Sequence, residues 1–290
     1  MNIEVIIPAY NEAGNICSVI NGIKGSLGKD CHITVVDDFS GDNTSSKAIE
    51  LGAKVIRHPY RMGNGASIKT GIRNSSADIL ILMDADGQHN PEDINALLKY
   101  IPEYDMVIGA RDFSKFSLRN LANIIYNIFA NYITHFRILD LTSGFRVVKR
   151  NIAVKFLYLL PNGFSYPTTI TLGFLKTGRA IKYVPIKSGV RLKGKSSINI
   201  LTDGTKFFII IAKIATFFSP FRVFLPVSLV FFLSGLLYYL YTYFTQHRFT
   251  NMAVFLLSNS VLIFMLGLVS EQVSQLRMDQ TENAPADKKQ

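Results

Sequence analysis

Through the first 110 residues, short apolar and β-branched runs alternate with longer stretches of helical period. The runs 4–8, 32–36, 53–56, 79–83 and 106–109 predict five strands. Residues 15–27, 45–51, 66–75 and 91–100 predict helices between them. Ile79-Leu80-Ile81-Leu82-Met83 is apolar at every position, as a strand covered on both faces must be. This alternation predicts an α/β fold, a Rossmann-like, mostly parallel sheet with helices on both faces. In such sheets ligands bind beyond the carboxyl ends of the strands. Residues 111–200 are less regular and predict no definite element.

The pattern changes in the last third. Residues 223–244 run 22 positions without a charge and 252–269 a further 18. As helices they measure about 33 and 27 Å, against about 30 Å of bilayer hydrocarbon. With the aromatic density of 231–244 and a short polar link, they predict a transmembrane hairpin rather than two buried core helices. Residues 199–220 mix Phe207-Phe208-Ile209-Ile210-Ile211 with Lys206 and Lys213, as in a helix lying in the interface. Arg222 precedes the hairpin and Arg277, Lys288 and Lys289 follow it, while its loop offers Arg248 and His247. The positive-inside rule then places both ends in the cytoplasm. The expected division is an α/β domain over 1–198, an interfacial segment over 199–220, two spans within 221–271 and a cytoplasmic tail over 272–290, disordered from 279. Met1-Asn2-Ile3-Glu4 leads straight into a strand, so no signal peptide is expected.

Composition agrees: 48% of residues are hydrophobic and only 18% charged, with a net charge of +10. The basic excess is concentrated. Between Leu141 and Thr202 there are eleven Lys and Arg and no acid, suited to anionic lipid beside a membrane or to a pyrophosphate. Nothing points to nucleic acid, and self-association stays open. Cys17 and Cys31 lack metal-site spacing, suit a reducing compartment, and receive no role.

The acids gather where the strands end. Asp84-Ala85-Asp86-Gly87-Gln88-His89 follows the fourth strand. Alone, the pair reads as an acidic turn. After a buried strand in a basic chain, carboxylates spaced i, i+2 point to a shared hard cation whose shell a phosphate completes. Pro8-Ala9-Tyr10-Asn11-Glu12 closes the first strand and Asp37-Asp38-Phe39-Ser40-Gly41-Asp42 the second. Three acidic clusters at one sheet edge need a cation or a hydrogen-bonding ligand, and a nucleotide supplies both. Asp140 reads as a base or orienting group, or else as a helix cap or partner of Arg146. His89 reads as structural, capping the helix that starts at Pro91. Gly63-Asn64-Gly65, ahead of a helix, could turn backbone N–H groups toward a phosphate.

With Ser143-Gly144-Phe145-Arg146, these motifs resemble those of family 2 glycosyltransferases of the GT-A fold. More narrowly they resemble the polyprenyl-phosphate group, which includes dolichol-phosphate mannose synthases and bacterial undecaprenyl-phosphate glucosyltransferases. The resemblance spans about residues 3–200, and two C-terminal spans fit it. It implies an inverting hexosyltransferase acting on a nucleotide-sugar donor and a polyprenyl phosphate. It also implies that Pro8, Ala9, Tyr10 and Glu12 line the nucleoside pocket and that Asp38, with Asp37, bonds the base. In Asp84-Ala85-Asp86, the two acids with Gln88 would hold Mg2+ or Mn2+ against the diphosphate. Asp86, Arg111, Asp140 and Arg146 form the expected catalytic set, Arg111 meeting phosphates. Arg191-x-x-Gly194-x-Ser196 matches a basic loop that closes over the diphosphate. The group usually places lysine after that serine, whereas this chain has Ser197; Lys195 could reach the same phosphate. A UDP-sugar is favoured over GDP-mannose. A nucleotidyltransferase is disfavoured by Tyr10-Asn11-Glu12 where its Gly-rich loop would stand, and a non-catalytic membrane adaptor by the intact acidic pair.

Overall fold

The computed structural model describes residues 1–111, 127, 128, 130–132, 134–163, 166–186 and 216–283. Arg191, Lys195, Ser196, Ser197 and positions 199–215 of the expected interfacial segment lie outside the described residues.

The chain divides into two compact units, parting between Ser197 and Ile198. In the first, β1 (Ile3–Ala9), β2 (His32–Asp37), β3 (Lys54–Arg57), β4 (Ile79–Leu82), β5 (Met106–Arg111), β6 (Arg146–Lys149) and β7 (Ile181–Ile186) form one sheet. Its order among the described residues is β3-β2-β1-β4-β6-β5-β7. β6 alone runs against its neighbours, pairing antiparallel with β4 and β5. The helices are α1 (Ile16–Leu27), α2 (Thr44–Glu50), α3 (Asn64–Asn74), α4 (Ile94–Leu98), α5 (Arg150–Ala153) and α6 (Tyr166–Lys176). The five predicted strands and four helices are present; the 91–100 helix opens as a 3-10 turn over Pro91–Asp93.

Alternation along β1 explains the two-sided core. Val5 and Ile7 face one side, where Ile16, Val19, Ile20 and Ile23 of α1 repeat at i, i+3, i+4, i+7 to meet them. Ile6 faces the other, with Ile68 and Ile72 of α3 and Leu80 and Leu82 of β4. Helix α3 approaches closely because residue 71 is glycine; a Cβ there would overlap Ile6 Cγ2. Each fully buried Ile or Leu contributes about 1.5–3 kcal/mol, so this core fixes the sheet and, through it, the loops at its carboxyl edge.

The second unit contains two long helices, α7 (Pro220–Gln246) and α8 (Asn251–Asn283). Both pass as membrane spans by length and composition. Between them Ser228 Oγ donates to Ser260 O over 2.8 Å, and Phe221 stacks edge-on against Phe264. Glycines permit close packing: a Cβ at Gly235 would lie 3.0 Å from Leu256 Cβ and one at Gly267 2.8 Å from Phe224 Cβ. Glu271 accepts from Phe221 N over 3.1 Å at the start of α7, answering one of the unpaired N–H groups of a helix start. Leu229, Val230 and Leu237 on α7 and Val261, Leu262 and Leu266 on α8 remain exposed. So much uncovered apolar surface is unusual in water. Residues 279–283, expected in an unstructured tail, continue α8 as helix.

Candidate active site

β2, β1 and β4 are consecutive in the sheet, so the loops that leave their carboxyl ends meet at one edge. The chain winds outward from β1 to β2 and β3, then returns to place β4 on the other flank. That makes the β1–β4 crevice a topological switch point, where open α/β sheets bind ligands.

The first two loops are braced against each other. Asn11 N donates to Ser40 Oγ (2.9 Å), Gly41 N to Asn11 Oδ1 (2.8 Å), Glu12 N to Thr44 Oγ1 (2.9 Å) and Ala13 N to Asp42 Oδ2 (3.1 Å). Asn11 and Phe39 hold positive φ, 55° and 66°; for the bulky Phe39 this conformation is strained. The Arg61 guanidinium lies 4.1 Å above the exposed Tyr10 ring, and Glu12 accepts from Asn15 Nδ2 over 2.7 Å. Pro8 and Ala9 are buried beneath them.

Asp37 is wholly buried. It accepts from Ser40 N and Ser45 Oγ, with Arg57 Nε at 3.6 Å. It locks the turn and cannot touch a base, against expectation. Asp38 is also buried: Oδ1 accepts from Met62 N (2.7 Å) and sits 2.9 Å from His58 Nδ1, while Oδ2 accepts from Gly63 N (2.8 Å). Of the four lone-pair sites of its carboxylate, the expected contact to a base is left one, on Oδ2. Burial alone would raise the Asp38 pKa, but the His58, Met62 and Gly63 donors outweigh it and hold the group below the ordinary 3.8. A carboxyl that is a stronger acid folded than unfolded stabilises the fold fully above its unfolded pKa, and loses that contribution as pH falls through the lower folded value. Unfolding of the full chain in detergent should therefore show stability falling below about pH 4. Asp38→Asn should flatten that slope; an unchanged slope would contradict this role.

The acidic pair itself lies just past β4. Ala85 points inward, 3% exposed within the core cluster, so Asp84 and Asp86 are thrown to the other side, both partly exposed. Ala85 thus serves the site through its backbone. Asp84 is held on three sides. His89 Nε2 stands 3.7 Å from Oδ2, the Asn64 side chain lies near enough to lower the carboxyl pKa, and Gly144 comes so close that a Cβ would overlap Oδ2. Burial pushes the Asp84 pKa up; His89, Asn64 and the Arg111 charge more than reverse this and keep it ionised. Asp86 Oδ1 accepts from Gln88 N over 3.1 Å, and Gly87 turns the chain with φ 73°. Two oxygen ligand groups beside the glycine cradle at residue 144 fit a hard divalent cation. Among the described residues no third His, Cys, Asp or Glu joins them, so such an ion would need a phosphate to complete its shell. Asn64 and His89 went unnoticed as partners of Asp84 in the sequence. His89 is no helix cap either, since Asn90 accepts from Glu92 N and its own ring packs on Phe145.

Arg111 and Asp140 form the other half of the site. Asp140 is fully buried; it accepts from Arg111 Nε (2.7 Å) and Nη2 (3.1 Å), from the Arg111 and Thr142 backbone N–H groups and from Thr142 Oγ1. The Asn127 side chain pins this loop from Leu139 O and Leu141 N. With its oxygens so occupied, Asp140 is bound to Arg111 and is not the partner of Arg146. Burial would lower the Arg111 pKa, but Asp140, and behind it Asp84 and Asp86, raise it. Arg146 is a core residue instead of a catalytic one. It is 0% exposed, its Nη1 donates to Pro167 O (3.0 Å) and Thr171 Oγ1 (3.2 Å), and its Nη2 donates to Ser143 O.

Three N–H groups at the N-terminus of α3 are already engaged by protein acceptors. Gly63 N is spent on Asp38, Gly65 N donates to Gly163 O (3.1 Å) and Ala66 N to Asn162 O (2.8 Å). Lys69 Nζ clasps the same loop at Leu160 O and Asn162 Oδ1. The glycines serve this close approach: Gly63 has φ 101°, and a Cβ on Gly65 would overlap Pro161 O. Gly65→Ala should therefore cost about 1–3 kcal/mol as an overpacking change, read as a lowered Tm; an unchanged Tm would contradict the contact.

Comparison with known proteins agrees with this geometry. The glycosyl transferase family 2 model matches residues 4–156 and the GtrB C-terminal hairpin model residues 219–276. A dolichol-phosphate mannosyltransferase of Pyrococcus furiosus is 33% identical over 68% of this chain and 59% of its own, so the chain spans well under two thirds of that relative. An undecaprenyl-phosphate mannosyltransferase of Micrococcus luteus is 25% identical over 69% of this chain and 88% of its own. Among solved structures, the glucosyl-3-phosphoglycerate synthase of Mycobacterium tuberculosis with Mn2+, UDP and phosphoglyceric acid superposes with a TM-score of 0.60 at 20% identity, covering 74% of this chain and 77% of that one. At that identity the likeness concerns the fold.

Proposed function

The chain belongs to glycosyl transferase family 2 and ends in a hairpin of the GtrB kind, and on that premise we propose a membrane-bound inverting glycosyltransferase. It moves a single sugar from a nucleotide-diphosphate donor to a polyprenyl phosphate at the cytoplasmic leaflet. One observation carries the reading: Asp84, Asp86 and the Arg111 guanidinium, which feels the charge of both acids, converge at one sheet edge. Relatives named for transfer to dolichol phosphate and undecaprenyl phosphate support the acceptor. The two apolar helices support the membrane, and Arg222 and Arg277, outside their uncharged runs, support a cytoplasmic catalytic domain over 1–198.

Asp84 and Asp86, with Gln88 beside them, would hold Mg2+ or Mn2+, and such an ion supplies positive charge to a departing diphosphate. The remaining work belongs to the chain. Arg111, fixed by Asp140, offers a planar fork to phosphate oxygens. Tyr10 and Glu12 edge the nucleoside, with Pro8 and Ala9 beneath, and Asp38 steadies the 58–63 loop beside it. Arg191 and Lys195 would add positive charge at the diphosphate. A lipid phosphate is already an anion at neutral pH, so the acceptor needs positioning rather than a base. Its attack opposite the leaving diphosphate inverts the anomeric centre. The two spans among the described residues favour transfer of one sugar over synthesis of a growing polymer.

The wording of the Asp84–His89 motif favours a UDP-sugar, and the names of the two relatives favour mannose. Vesicles holding the full chain and a polyprenyl phosphate, given radiolabelled UDP-glucose, UDP-N-acetylglucosamine or GDP-mannose, should label extractable lipid from one donor. If none labels lipid, the acceptor assignment fails.

A further inference from the structure

The two glycines around Asn64 are pinned from outside α3. Gly63 N donates to Asp38 Oδ2 (2.8 Å) and Gly65 N to Gly163 O (3.1 Å), so the first residue of the helix is fixed in direction. Its side chain is thereby brought near the Asp84 carboxylate. A carboxylate takes only donors, and Nδ2 is the donor atom of an amide, so Nδ2 is the end that serves Asp84. The other end, Oδ1, is buried and has no hydrogen-bond partner among the described residues. His89 repeats the arrangement. Its side chain is 3% exposed, packs on Phe145 and stands with Nε2 3.7 Å from Asp84 Oδ2. Nε2 presents the proton there, and Nδ1 is left buried without a partner.

Two side chains from separate segments thus face one carboxylate, and each leaves its far polar atom unanswered. A buried polar atom without a partner destabilises a fold. For packing alone, an apolar side chain of the same shape would serve better. What the pair secures is the placement of Asp84. Gly144 closes a further side of it, and that turn is itself held: Gly144 O accepts from Tyr166 OH over 3.3 Å and Ser143 O from Arg146 Nη2. The Asp84 side chain is still 31% exposed, so a face of the carboxylate stays open to a cation. Groups that orient a metal ligand typically govern affinity by about 10- to 100-fold. With Asp84 and Asp86 as the metal ligands of the proposed function, on which this rests, we infer that Asn64 and His89 are positioning residues of the metal site. They hold the Asp84 carboxylate for a divalent cation through Nδ2 and Nε2, and they leave Oδ1 and Nδ1 unanswered at a cost in stability.

The test follows thermal unfolding of the full chain in detergent while Mn2+ is titrated at a fixed level of UDP, or of GDP in a parallel series. A bound ion raises Tm in step with the logarithm of its concentration over Kd, so the titration reads affinity without turnover. The wild type should show the rise and Asp86→Ala should lose it. Asn64→Leu and His89→Asn should need about 10- to 100-fold more Mn2+ for the same rise. His89→Gln, whose Nε2 reaches where the ring nitrogen stood, should stay near the wild type; the shorter Asn lacks that donor. Without metal, Asn64→Leu should melt no lower than the wild type, because the unanswered Oδ1 is gone. A purely structural brace predicts the reverse, a lower metal-free Tm with an unchanged Mn2+ dependence. That result, or an equal loss in His89→Gln and His89→Asn, overturns the inference. A rise that needs Asp86 yet ignores Asn64 and His89 removes the positioning role alone. A wild type that ignores Mn2+, or an Asp86→Ala variant that keeps the rise, removes the metal reading and the positioning role with it.

Discussion

Asp86→Ala should reduce sugar transfer about a thousandfold or more while leaving the fold unchanged. A divalent ion at a departing diphosphate is worth several kcal/mol in the transition state, and each 1.36 kcal/mol is a factor of ten in rate. Asp86 lies on a partly exposed turn past β4 and carries the Gln88 N–H, so stability should move by no more than about 0.5 kcal/mol. Asp84→Asn should lose activity comparably, though His89 and Asn64 would still hold the side chain in place. Initial rates of lipid labelling, with circular dichroism on the same preparations, check both. Rates within tenfold of the wild type would remove the metal from the account.

The second large effect concerns Asp140. Asp140→Ala strands the mostly buried guanidinium of Arg111, 14% exposed at its side chain, and truncating one partner of such a pair costs about 3–5 kcal/mol. Asp140→Asn keeps the shape and loses the charge. A positioning role predicts that this variant raises the donor KM and lowers kcat while the pH–rate profile keeps its form. A general base predicts instead the loss of one limb of that profile. Thermal unfolding and a pH series on the two variants separate these readings.

Much of the fold could be read from the chain because its alternation is strong. Ile79–Leu82 is apolar throughout and could only be a covered strand, and the acids after it had to emerge at the carboxyl edge. β6 escaped notice because Arg146–Lys149 is four residues long with a cation at each end, and its partners β4 and β5 come far earlier in the chain. The same strand explains why Arg146 reads as a site residue in the sequence. A basic residue closing a Ser-Gly-Phe motif looks like a ligand group, and only its place between β4 and β5 reveals that it is in the core. The partner of Asp140 is Arg111, 29 residues away, a separation that no local pattern encodes. Gly63 and Gly65 read as a phosphate turn, but they admit the 161–163 loop, whose carbonyls take the Gly65 and Ala66 N–H groups.

The most direct test of the central claim is stoichiometric. With the preferred nucleotide sugar, polyprenyl phosphate and Mg2+ or Mn2+, the full chain in vesicles should release one nucleoside diphosphate for each glycosyl lipid formed. Release should stop when the lipid phosphate is left out or the cation is chelated. Equal release without lipid phosphate, or lipid labelling that persists in chelator, would contradict it.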